Sequence, residues 1–225
     1  MVKVISFSLW GDQLKYTIGA IKNANLAKEF YPDFQCWFYI HKPTVPQNII
    51  DELSNKENVK IIFKDGDLNT SKPMMWRFEP IINPEVEIMM SRDTDTRILL
   101  REKLAVDEWL KSDKLLHIMR DNPYHYYNIL GGMFGIKQNN LINWKCLMDN
   151  TIQNGNRDYD QTFLCNNIYL TYLHTSLIHA SYHRREHHAT NFPIMFSPTL
   201  NFVGEYVYED ESRVPEHYNL CSNNP

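Results

Sequence analysis

The sequence has no long hydrophobic run. Across its 225 residues no stretch approaches the ~18 to 20 consecutive apolar residues that cross a bilayer, so no membrane span is expected. A secretory leader is not expected either. Met1-Val2-Lys3-Val4-Ile5-Ser6-Phe7 offers too short an apolar run and reaches Trp10-Gly11-Asp12 at once. That opening reads instead as a first strand. The cysteines show no CxxC spacing: Cys36, Cys146, Cys165 and Cys221 lie far apart, which argues against a zinc site or thiol exchange and points to reduced thiols in a cytoplasmic protein. Positive charge is not in excess. A formal net charge of −4 argues against a nucleic-acid partner, because neutralising phosphates calls for a basic face. The one concentrated basic stretch, His183-Arg184-Arg185-Glu186-His187-His188, is short enough to be a loop facing one small anion. No internal repeat, low-complexity tract or Gly/Ser linker divides the chain, so one domain over residues 1–225 is expected.

A hydrophobic content of 43% with 13% aromatics is that of a globular protein able to bury a sizeable core. Strand and helix patterns alternate through the N-terminal half. Strands are expected over residues 2–8, 35–41, 59–63 and 86–90, and helices over 12–30, 47–55 and 98–111. Further on, 115–119, 129–136 and 172–179 read as strands, and 139–150 and 159–168 as helices. This alternation predicts an α/β protein with a mostly parallel sheet covered on both faces, whose ligand sits beyond the carboxyl ends of the strands.

The most informative segment follows the fourth strand. In Ser91-Arg92-Asp93-Thr94-Asp95-Thr96-Arg97, the two aspartates are two apart, so in an extended backbone they share a face. Two carboxylates so close repel each other unless a cation compensates, which suits Mg²⁺ or Mn²⁺ with a diphosphate completing the shell. An isolated Asp-x-Asp is more often a turn that caps the next helix. Here an apolar strand feeds the motif and arginines flank it.

This segment resembles the DxD signature of GT-A glycosyltransferases, in particular small ones with an S-R-D-x-D-S/T-R version. Ile129-Leu130-Gly131-Gly132-Met133-Phe134-Gly135 resembles the glycine-containing strand beside the donor sugar in that superfamily. Tyr159-Asp160-Gln161-Thr162-Phe163-Leu164 resembles its later D-Q segment, and the Phe7-Ser8-Leu9-Trp10-Gly11 turn and Asn201-Phe202-Val203-Gly204 extend the match over most of the chain. The resemblance implies a GT-A, Rossmann-like nucleotide-diphospho-sugar transferase fold. It also implies transfer of a hexose from a UDP- or GDP-linked sugar to a glycan or other hydroxyl acceptor.

The same resemblance assigns roles. Asp93 and Asp95 would hold the metal, with His179 in the position of a third ligand and His183 as the alternative. A neutral imidazole would favour Mn²⁺ over Mg²⁺. Phe7, Ser8, Leu9, Trp10 and Tyr16 would surround the nucleotide, with Trp10 and Tyr16 flanking the base. Independently of the resemblance, Arg77, Arg92 and Arg97 are cations near the expected diphosphate, to which a guanidinium fork is suited, and Thr94 belongs to the same binding segment; Arg92 should point to the opposite face from the carboxylates and brace the loop. Gly131 and Gly132 would let the sugar approach the backbone. Asp160 and Asp121 are the candidate catalytic carboxylates. Asp121 belongs to a stretch, His117 to His125, rich in hydrogen-bonding and stacking groups suited to a sugar.

Two other functions are weighed. A sugar nucleotidyltransferase also uses such a fold, but it carries a glycine-rich basic loop after the first strand. Here Ser8-Leu9-Trp10-Gly11-Asp12-Gln13 has one glycine and no cation before Lys15. A non-catalytic nucleotide- or sugar-binding protein on the same fold is the remaining alternative.

Overall fold

The structure, a computed structural model, describes residues 1–70, 72–150 and 158–223. Seven strands form one sheet in the order β3-β2-β1-β4-β6-β5-β7. They are β1 Val2–Leu9, β2 Phe34–His41, β3 Val59–Lys64, β4 Val86–Ser91, β5 Leu116–Arg120, β6 Phe134–Lys137 and β7 Ser176–Ala180. All neighbours run parallel except β6, which is antiparallel to both β4 and β5.

Side-chain alternation along the strands produces two cores. From β1, β2 and β4, the residues Ile5, Phe7, Phe38, Ile40, Ile88 and Met90 face helices α1 (Leu14–Phe30), α2 (Gln47–Ser54) and α4 (Leu100–Lys111). From the same strands, Val4, Trp37, Tyr39 and Met89 face the other layer, joined by Val86, which lies before the register shift between β1 and β4. That layer holds the short α3 (Lys72–Met75), the 3-10 helix Trp76–Ile82, α5 (Trp144–Asp149) and α6 (Tyr159–Leu164). This is the GT-A fold expected from the sequence: a mostly parallel sheet flanked by helices on both faces. Among the described residues no helix is long and apolar enough to cross a membrane, and none of the four cysteines is in a disulfide.

The differences from expectation have local causes. The expected strand over 129–136 is realised only as Phe134–Lys137, because residues 130–133 close a turn in which Met133 N donates to Leu130 O at 3.1 Å. The expected strand over 172–179 begins at Ser176, since the chain stays helical through Thr175. The helix read over 139–150 shortens to α5, whose start is fixed by Asn143: its side chain accepts from Cys146 N at 2.9 Å. Leu14, the apolar first residue of α1, is 56% exposed. Thr17 and Asn23 are buried on that helix instead.

Candidate active site

After β1 the chain passes to β2 on one side, while β4 lies against β1 on the other. Loops leaving the carboxyl ends of β1 and β4 therefore diverge and leave a crevice, the usual ligand position in such sheets. The register pairs Ser6 with Ser91, and Arg92 N donates to Ser6 O at 3.0 Å. The two loops thus start level with one another. Between them lies a cleft of about 700 Å³. Ser8 and Leu9 line it from the end of β1, Trp10 and Gln13 from the loop that follows, Tyr16 from the start of α1, and Asp93, Thr94 and Asp95 from the second loop. Arg77, Gly131, Gly132 and Asp160 close it.

Asp93 and Asp95 both face this space. Burial, reinforced by the negative charge of Asp93, pushes the Asp95 carboxyl up to about 6. Opposite them sits a buried guanidinium. Arg77 contacts Asp93 Oδ1 through Nη1 and donates through Nη2 to Asp160 Oδ2 at 2.6 Å. Burial opposes its charge, but the two carboxylates more than compensate and its pKa is raised. Its own backbone N–H donates to Ser8 Oγ at 3.1 Å. Arg77 thereby ties three walls of the cleft together. Asp160 is also buried, and burial raises its pKa against the pull of Arg77; its Oδ1 accepts from the Gln161 N–H at 2.9 Å.

The glycine pair is required for room rather than for conformation. Neither has a positive φ. A Cβ on Gly131 would overlap Asp160 Oδ2 and the Arg77 guanidinium, and a Cβ on Gly132 would overlap the carboxylate of Asp93. Ser91 Oγ donates to Gly131 O at 2.6 Å, holding that turn against the end of β4. Sequence reasoning assigned these glycines to sugar approach. What presses on them here is the carboxylate–guanidinium cluster.

The segment carrying the two aspartates is held from behind. Asn23, buried on α1, donates to Thr94 O at 3.2 Å and Thr96 O at 2.8 Å, and accepts from Ile98 N at 3.3 Å. Gly19, one turn earlier, packs so closely that a Cβ there would overlap the Thr94 carbonyl. From the C-terminal segment, Val207 N donates to Asp95 O at 2.8 Å, and Arg97 Nη2 donates to Tyr208 O at 3.0 Å.

Besides Arg97, five expected site residues lie elsewhere. Phe7 is in the core, stacked on Phe38 with ring centroids 4.7 Å apart, because its side chain alternates away from that of Ser8. Arg92 also turns away from the cleft, as the alternation predicts. It braces the loop by donating to Glu102 Oε1 at 2.7 Å, Ser91 O at 2.7 Å and Phe134 O at 3.0 Å. Asp121 is fully buried with both oxygens committed. Arg101 spans them at 2.8 Å each, and Ser181 Oγ (2.6 Å) and Val203 N (2.9 Å) complete the set. It is therefore a structural anion and not a base for an acceptor. His179 does not reach Asp93 or Asp95: its Nδ1 pairs with His117 Nε2 at 2.8 Å and its Nε2 with Glu108 Oε2 at 3.0 Å, so neither nitrogen is left for a metal. His183 has its Nε2 on Pro123 O at 2.7 Å and is not part of the cleft lining. The imidazole that does line the cleft, His125, accepts at Nδ1 from Asp121 N at 3.0 Å; with neither His179 nor His183 in the cleft lining, the reason to prefer Mn²⁺ over Mg²⁺ falls away.

Gln13, Met74, Met133 and Asp158 also line the cleft and were not singled out in the sequence. Asp158 had a readable signal, since Asp158-Tyr159-Asp160 repeats the two-residue spacing of Asp93 and Asp95. The methionines had none. Among the described residues no group of three His, Cys, Asp or Glu side chains could enclose a metal ion by itself. The donor set fits a hard divalent cation that keeps open positions for ligand oxygens: two carboxylates, one of them with its charged form disfavoured by burial and by the other.

No protein-family model matches the chain, and no curated protein matches it in sequence. Similarity to solved structures is extensive. A glycosyltransferase involved in the glycosylation of the major capsid of PBCV-1 superposes with a TM-score of 0.52 at 12% identity, covering 82% of this chain and 84% of that one. TarS of S. aureus, residues 1–349, superposes at 0.51 with 14% identity, covering 80% of this chain and 61% of that one. At such identities the likeness is one of fold.

Proposed function

We propose that this chain is a metal-dependent glycosyltransferase. It would transfer a hexose from a UDP- or GDP-linked sugar to a hydroxyl of a glycan or other acceptor. The observation that carries this reading is the convergence of Asp93, Asp95, Arg77, Asp160 and the Gly131-Gly132 turn on one cleft at the switch between β1 and β4. Its fold is shared with the glycosyltransferases above, which supports the same class of chemistry.

Asp93 and Asp95 would hold Mn²⁺ or Mg²⁺. Such an ion neutralises charge growing on the diphosphate leaving group. The remaining work falls to the chain itself. Trp10 and Tyr16, both in the cleft lining, would offer aromatic surfaces to the base and ribose. Asp160, immobilised by Arg77, is a fixed acceptor for hydroxyls of the transferring sugar, and the glycine turn lies next to it. Arg77 keeps the Asp93 and Asp160 carboxylates apart and oriented before any ligand arrives, so little reorganisation is needed on binding.

The test is turnover. Nucleotide sugars are screened for diphosphate release in the presence of Mn²⁺, and the best donor is then analysed by mass spectrometry with a panel of sugars, peptides and glycans. Slow release without acceptor and faster release with one acceptor class is the expected result. Tight metal-dependent nucleotide binding with no turnover of any donor would instead indicate a non-catalytic binding protein.

A further inference from the structure

Beside the cleft, the loop between β5 and β6 presents two tyrosines. The rings of Tyr126 and Tyr127 are stacked, with centroids 5.0 Å apart and planes 29° from parallel, and Tyr126 is 52% exposed. Exposed aromatics are normally mobile and single. Here the backbone that carries the pair is hydrogen-bonded. Arg185 Nη2 donates to Tyr126 O at 2.6 Å and its Nη1 to the Asn128 side chain, while the buried Arg120 donates to Asn128 O at 3.3 Å. The basic loop that the sequence suggested for an anion thus spends Arg185 on holding this aromatic turn.

The pair is connected to the cleft. Tyr127 lies against Asp158, whose charge, after burial, contributes to raising the tyrosine pKa. Asp158 itself lines the cleft, next but one to Asp160. His125 and Leu130, on either side of the tyrosines in sequence, line it as well. Tyr127 thus joins Tyr126, its stacking partner, to a carboxylate of the cleft lining.

We propose that Tyr126 and Tyr127 form the acceptor subsite, and that the acceptor is a pyranose whose apolar C–H face lies on the exposed Tyr126 ring while its hydroxyls reach Asp158. This rests on the reading of the cleft as a glycosyltransferase site and narrows its acceptor from any hydroxyl to a sugar ring. A pyranose has one face of C–H groups and a rim of hydroxyls. An exposed aromatic stacked on a neighbour that contacts a carboxylate, on a turn whose backbone is hydrogen-bonded, presents the matching surfaces at reduced entropic cost. A peptide serine or a lipid hydroxyl has no flat apolar face to place there.

The test measures acceptor binding without turnover. Methyl pyranosides of glucose, galactose, mannose and N-acetylglucosamine are titrated into the full chain with nucleotide diphosphate and Mn²⁺, with saturation-transfer NMR as the readout. At least one should bind, with transfer strongest on ring C–H protons. Tyr126→Ala should weaken it by about tenfold, and Tyr126→Trp should restore it. Tyr124→Ala, on the same loop but packed on His217, is the control and should change nothing. Tyr126 is on the surface, so these variants should keep the wild-type melting temperature. Absence of binding by every pyranoside, or equal affinity in wild type and Tyr126→Ala, overturns the proposal. So does an acceptor KM, in the transfer assay, that rises in Tyr126→Ala for a peptide acceptor but not for a sugar. Failure of every donor to turn over would count against the glycosyltransferase reading itself, and is read separately from pyranoside binding.

Discussion

Asn23, in the middle of the first helix, donates through Nδ2 to the carbonyl of Thr96, 2.8 Å away and 73 residues later in the chain. An asparagine is a poor choice for a helix interior on propensity alone. Here it satisfies backbone groups of the segment that carries both aspartates. Asn23→Ala leaves the Thr94 and Thr96 carbonyls and the Ile98 N–H without that partner, at a cost of about 3 kcal/mol. Thermal or urea unfolding should show this loss, together with a weaker affinity for nucleotide diphosphate. Unchanged affinity would mean that the aspartate loop does not need α1 for its shape.

Gly132→Ala separates function from folding. The added Cβ falls on the carboxylate of Asp93 and comes 3.1 Å from its backbone N; that half-buried side chain can swing away by giving up its contact with Arg77, and Gly132 has no positive φ for alanine to strain. The stability cost should be small, about 1 kcal/mol, while metal-dependent nucleotide binding is lost. Calorimetry beside a melting curve checks both halves. A variant that binds as wild type would show that Asp93 does not need its observed position.

Much of this arrangement was legible in the sequence, and the limits have physical causes. Asp93, Asp95, Arg77, Asp160 and the glycine pair all lie in the cleft, because strand alternation and loop position are local properties of the chain. Arg92 pointed away as its parity required. Asp121, in a polar stretch that leaves a strand, and His179, at the end of another, were also candidates. Their partners come from residues that no spacing connects to them: Arg101 and Val203 for the aspartate, His117 and Glu108 for the histidine. A polar residue at the end of a strand can complete the interior or serve a ligand, and only its tertiary neighbours decide which.

His125 should make the fold sensitive to acid. It is buried, accepts at Nδ1 from Asp121 N at 3.0 Å, and burial, aided by the neighbouring His183, pushes its pKa down to about 3. In the unfolded chain it titrates near ~6.5. The unfolded state therefore binds the proton first as pH falls. The stability that His125 contributes is complete above about pH 6.5 and is lost progressively toward about pH 3. Unfolding free energy measured across this range should fall less steeply in His125→Asn, which keeps an acceptor but cannot charge. An identical slope in the variant would show that His125 does not remain neutral in the fold.

The central claim is that Asp93 and Asp95 hold a divalent cation against a nucleotide diphosphate. Isothermal titration of UDP and GDP into the protein, with Mn²⁺ or Mg²⁺ and then with excess chelator, tests it directly, with Asp95→Asn as the matched variant. Binding of one diphosphate with the metal, a loss of at least about a hundredfold in affinity with chelator, and a similar loss in Asp95→Asn are expected. Equal affinity with and without metal, or full metal-dependent binding by Asp95→Asn, would contradict it.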